Sequence, residues 1–209
     1  MKKLIYILFF ASQFSFGQSP TFKIDSLLNA KMEFLKTDKV GFTRKSCTGF
    51  GVDSNAYLFW KTDSITMMQK IEFIEYPKEH LKEYEPIIIK DDFFFFLLTE
   101  NQNDLRNDSE IKHFQVKTEN VQSQGTVSTG YIQTSHSCYR HLYLKSNGFE
   151  FKKQFDYFDL AKSLRNSENE KNINYKFNQN IKIVELDKII NNRINDIESK
   201  TELKITKRN

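Results

Sequence analysis

The sequence predicts a single α+β domain, a mainly antiparallel sheet of about five to seven strands with an N-terminal and a C-terminal helix packed on it. Three observations carry that expectation. Asn147-Gly148 separates two runs of alternating polarity, further short apolar runs read as strands, and the two stretches with clear helical periodicity lie towards the two ends of the chain.

The hairpin fixes its own register. Asn and Gly both tolerate the positive φ of a type I′ turn, so residues 147 and 148 form the loop. Ser146 then faces Phe149, Lys145 faces Glu150, Leu144 faces Phe151 and Leu142 faces Lys153. One side carries Cys138, Leu142, Leu144, Phe149, Phe151 and Phe155; the other carries Tyr139, His141, Tyr143, Lys145, Glu150, Lys152 and Gln154. A slip by one residue would expose the phenylalanines and bury Lys145 and Glu150. Three polar residues nevertheless fall on the apolar side: His136, Arg140 and Lys153.

At the start of the chain, Lys2 and Lys3 precede an apolar run from Leu4 to Ala11, and Ser15 and Gly17 occupy the small-residue positions of a signal-peptidase cut. Residues 1–17 are read as a signal peptide and 18–209 as the globular domain, exported and periplasmic or secreted. No run approaches the roughly 20 apolar residues of a membrane-spanning helix. Loss of the two lysines lowers the net charge from +4 to about +2, and no basic stripe with interleaved aromatics points to nucleic acid. Cys47 and Cys138 would pair in an oxidising compartment, a bond worth on the order of 4 to 5 kcal/mol in the chain-entropy view.

In chain order, Ile24, Leu27, Leu28, Met32 and Leu35 predict a helix over 22–36. A short strand over 40–44 and a turn at Gly49 and Gly51 follow; that Gly-x-Gly lacks the third glycine and the βαβ setting of a dinucleotide site. Strands are expected over 56–60 and 70–76, the second ended by Pro77, then a solvated turn or short helix over 78–85. The run Phe93 to Leu98 reads as a strand buried on both faces, with Asp91, Asp92 and Glu100 as flanking gatekeepers. A polar loop over 101–108, a weaker strand over 111–119 and a flexible connection over 120–130 lead to the hairpin. Beyond it come a helix over 157–164, an exposed asparagine-rich loop over 166–174 and a helix over 185–199. Leu203 and Ile205 suit either a closing strand or a frayed tail.

No serine-nucleophile elbow, phosphate loop, cofactor motif or metal motif of standard spacing is present. His136 and Cys138 share a strand face and would supply two zinc ligands, but His141 has the opposite parity, and His113 and Cys47 are remote. A cysteine nucleophile would need Cys138 as a free thiolate, with His136 or His141 as base and Asp156 or Asp159 orienting it. The acidic pairs Asp91-Asp92 and Glu72 with Glu75 point to opposite strand faces and do not converge on a substrate atom.

The misfits on the apolar face form the better candidate. Arg140 would grip a carboxylate or phosphate, Lys153 would add a point charge and His136 a pH-sensitive donor; the structural alternative is an ion-paired cluster with Asp156 or another acid. These features predict a non-enzymatic binding or interaction module of the cell envelope or extracellular space. Its expected partner is an anionic small molecule or an envelope protein. The alternative is a small hydrolase or metal-dependent enzyme using the His136, Cys138 and His141 region.

Overall fold

In the strand Ser54–Thr62 (β2), Ala56, Leu58 and Trp60 alternate with Tyr57 and Phe59, so both faces are apolar and both need cover. The computed structural model describes residues 20–47, 54–74, 80–120, 126–132, 134, 137–164 and 170–208, and in it each face of the sheet has its own core. Helix α1 (Pro20–Leu35) contributes Ile24 and Leu28 to a cluster with Phe42, Leu58, Trp60, Ile71 and Phe73. On the other face, Phe59, Leu142, Leu144, Phe151 and Phe155 pack with Phe94 and Leu98 of α2 (Phe93–Glu100) and with Ile183, Leu186, Ile190 and Ile194 of α5 (Lys182–Lys200).

The sheet has eight strands, more than the sequence suggests, and every pairing is antiparallel. Its order is β10 (Ile205–Arg208), β4 (His80–Tyr84), β3 (Ile65–Ile74), β2, β1 (Lys39–Cys47), β8 (Cys138–Ser146) and β9 (Phe149–Asp156), with β5 (Ile87–Ile89) also on β3. A separate ladder joins β6 (Gln115–Asn120) to β7 (Thr126–Tyr131). The β8–β9 turn has Asn147 at φ 50° and Gly148 at φ 80°, and its register is the one read from the sequence, from Ser146 opposite Phe149 to Leu142 opposite Lys153.

Several expected elements are corrected. The run Phe93 to Leu98 is not a strand but most of helix α2, with Phe93, Phe94, Phe95 and Leu98 buried and Phe96 exposed. A short continuous apolar run has no period to separate strand from helix, and four phenylalanines favour a strand locally, so the helix is set by packing and not by propensity. Phe94 stacks on Phe59 with ring centroids 4.3 Å apart and lies over Gly41, where a Cβ would meet the Phe94 ring at 2.6 Å and the Tyr143 carbonyl oxygen at 2.5 Å. Asp91 and Asp92 flank a helix and not a strand: Asp91, exposed, pairs with Arg193 at the surface, and the partly exposed Asp92 accepts from Lys61 and Thr66.

The expected polar loop at 101–108 contains helix α3 (Gln102–Asn107), and the charged stretch at 78–85 contains strand β4. The helix expected over 157–164 is a single 3₁₀ turn, Tyr157–Leu160, capped where the Asp156 carboxylate accepts the Phe158 N–H at 2.8 Å. Part of the connection expected over 120–130 is strand β7, and a short helix, α4 (Tyr175–Gln179), follows the asparagine-rich stretch. The expected signal peptide, the Gly49 and Gly51 turn and His136 lie outside the described residues.

Candidate binding site

Strand β9 ends the sheet order, so one of its edges has no strand partner among the described residues. In a two-residue hairpin the residues flanking the turn exchange both main-chain hydrogen bonds, and such pairs recur at every second position. Phe149, Phe151, Lys153 and Phe155 therefore turn their main-chain groups towards β8, whereas those of Glu150, Lys152 and Gln154 point outward. Beside this free edge lies a groove of about 930 Å³ lined by Lys152, Lys153, Gln154, Phe155 and Asp156 in succession. The rest of its lining comes from residues 110, 111 and 113, from residues 131, 132 and 134 at and beyond the end of β7, from Tyr139 of β8 and from the 3₁₀ turn, including Glu110, Ile111, His113, Ile132 and Phe158.

Buried amides hold the irregular segment that borders the groove. Asn178 accepts from the Lys112 N–H at 2.9 Å and donates to the carbonyls of Lys112 and Asp159, while Asn172 accepts from the Gln115 N–H and donates to the carbonyls of Asp159 and Ala161. Without these bonds, main-chain groups outside any ladder would be buried unpaired. Asp159, 7% exposed, accepts from the Phe114 N–H at 2.8 Å and lies 3.2 Å from Nδ1 of His113, whose side chain remains 79% exposed. Asp156 accepts from Ser137 Oγ as well as from Phe158 N–H. The groove's two buried or half-buried carboxylates are thus already engaged by the fold.

The three misfits do not converge. Lys153 lines the groove, and His136 lies outside the described residues. Arg140 is 4% exposed and belongs to a different cavity, of about 480 Å³, beneath α5. Its acid is Asp187, not Asp156: Nε lies 2.9 Å from Asp187 Oδ1, Nε and Nη2 donate to the Tyr157 hydroxyl, Nη2 to Asn191 Oδ1 and Nη1 to Thr43 Oγ1. Tyr157 in turn donates to Asp187 Oδ2 at 2.7 Å, and burial pushes its phenol up to about 12. Burial likewise raises the Asp187 carboxyl, against the pull of Arg140, Tyr157 and Asn191.

Cys47 and Cys138 face each other across β1 and β8 and are joined by a disulfide, so Cys138 carries no thiolate in this state. His141 points to the opposite face of β8, with Nε2 3.3 Å from Ser46 Oγ; burial, and then the positive charges of Arg44, Lys152 and Arg140, hold it down to about 4. Among the described residues no three His, Cys, Asp or Glu side chains are grouped to hold a metal ion. That His113 and Gln154 meet in one groove, and that β9 has a free edge among the described residues, is not legible in the sequence. The hairpin turn dictates which main-chain groups point away from β8, but nothing local shows that, among the described residues, no further strand receives them. The chain matches no protein-family model, no curated protein and no solved structure.

Proposed function

We propose that this chain is an exported, non-enzymatic binding module that captures an extended segment of a partner protein by strand addition to β9. The observation that carries this reading is the unbroken lining of the groove by residues Lys152 to Asp156 of an edge strand. Outward main-chain groups of Lys152 and Gln154 supply affinity without sequence preference, and alternate side chains of the partner supply selectivity. Ile111, Ile132 and Phe158 suit apolar side chains, whereas Lys152 and Lys153 suit a carboxylate, because Asp156 and Asp159 are engaged internally, the latter by His113, and leave Glu110 as the one other lining acid among the described residues against two lysines. The ligand class is therefore an extended segment that alternates apolar and acidic residues.

Supporting the non-enzymatic reading, the disulfide removes the thiolate on which a cysteine nucleophile or a Cys138 metal ligand would depend. An end-capped peptide of alternating valine and glutamate tests the proposal by amide hydrogen exchange. Slower exchange at Lys152 and Gln154 is expected, with loss of the effect when alternate peptide amides are N-methylated or when Gln154→Pro removes one outward N–H, a change an edge strand tolerates. Unchanged exchange at both amides, or equal protection by the N-methylated peptide, would refute strand addition. For export, the amino terminus of the protein recovered from its source should be Gln18; a chain that retains Met1 at its site of action would count against it.

A further inference from the structure

Facing positions across the sheet set Asn55, Lys45 and Arg140 in one row, since Lys45 lies opposite both Asn55 on β2 and Arg140 on β8. This row and the polar side of α5, with Asn191 and Asn195, line the cavity of about 480 Å³. Its remaining lining is less polar: Tyr57, Tyr157, Ile194 and the disulfide at Cys138.

The charges here do not cancel. Arg140 is matched by Asp187, whose carboxylate is also held by Tyr157 and Asn191. No acidic residue lines the cavity among the described residues, and the half-buried Lys45 has no ion-pair partner among them. A half-buried lysine at a cavity with no acid in its lining among the described residues favours a bound anion, because a partly enclosed site has less water to screen the charge. One surplus positive charge calls for one negative charge.

We infer that this cavity is a binding site for a small monocarboxylate with an apolar tail, separate from the β9 groove. The carboxylate pairs with Lys45 and accepts from the amides of Asn55 and Asn195, and the tail lies against Tyr57, Ile194 and the disulfide. A phosphate dianion would bring a second charge with no partner.

The test uses 3-phenylpropionate as the probe, titrated at fixed ionic strength into the disulfide-bonded protein and followed by calorimetry and by thermal unfolding. Saturable binding is expected, with affinity about tenfold lower for the uncharged 3-phenylpropionamide and for the Lys45→Met variant. Lys45→Arg should retain binding, and the unfolding midpoint without probe shows whether each variant is folded. Gln154→Pro, which disables the groove, should leave binding of the probe unchanged. Equal affinity for acid and amide, equal affinity of wild type and folded Lys45→Met, or tighter binding of inorganic phosphate would overturn the assignment.

Discussion

Arg140 shows what a charge in a core requires. Its guanidinium is tolerated on an apolar sheet face because Asp187, Tyr157, Asn191 and Thr43 meet it together, joining β1, β8, the 3₁₀ turn and α5. Truncation would leave Asp187, 2% exposed, as an unpaired buried carboxylate. Arg140→Ala should therefore lower unfolding stability by about 3–5 kcal/mol in urea titrations, whereas exchanging both partners for apolar residues of similar volume should cost much less. A loss below about 1 kcal/mol would show that the network adds little. His141 gives a pH dependence of definite sign. It is held at about 4 in the folded chain against an ordinary value of 6.5, so the unfolded chain binds the proton more tightly. Its contribution is intact above 6.5 and declines as pH falls from 6.5 towards 4, by on the order of 2–3 kcal/mol. His141→Gln should flatten that part of the stability profile, and an unchanged slope would exclude the histidine as its source.

Among the elements, the β8–β9 hairpin was legible down to single residue pairs because its signals are local: an Asn-Gly turn and a two-residue alternation that tolerates no slip. Helix α2 was not. Its conformation depends on Phe94 reaching over β1 to stack on Phe59, which is possible only because residue 41 has no side chain. Gly41→Ala should cost about 1–3 kcal/mol by pushing aside both Phe94 and the Tyr143 carbonyl of the paired strand, measurable as a lower urea midpoint with an unchanged slope. Full stability in that variant would mean that the close approach is not needed. Strand β4 was missed for a related reason: its five residues, His80 to Tyr84, are largely polar and become a strand by pairing with β3 and β10.

For the molecule as a whole, the Cys47–Cys138 bond ties two neighbouring strands of an eight-stranded sheet and closes a loop spanning 91 positions. Replacing both cysteines with serine should cost about 4 kcal/mol in the chain-entropy view. The wild type should show no free thiol until it is denatured and reduced; two thiols before reduction would contradict the bridge. Among the described residues, no helix is long and apolar enough to cross a membrane. What the sequence determined by itself was an α+β chain with an antiparallel sheet, the register of one hairpin, the pairing of its two cysteines and the presence of Arg140 and Lys153 on an apolar face. These rest on adjacent residues, strand parity or the fact that there are only two cysteines. Packing between distant segments settles that Arg140 belongs to Asp187 and that Lys153 lies in a different cavity, and that, among the described residues, β9 is an edge and Lys45 has no acid. Each of these depends on what arrives from distant parts of the chain, and side-chain charge and strand parity carry no information about which partner will come.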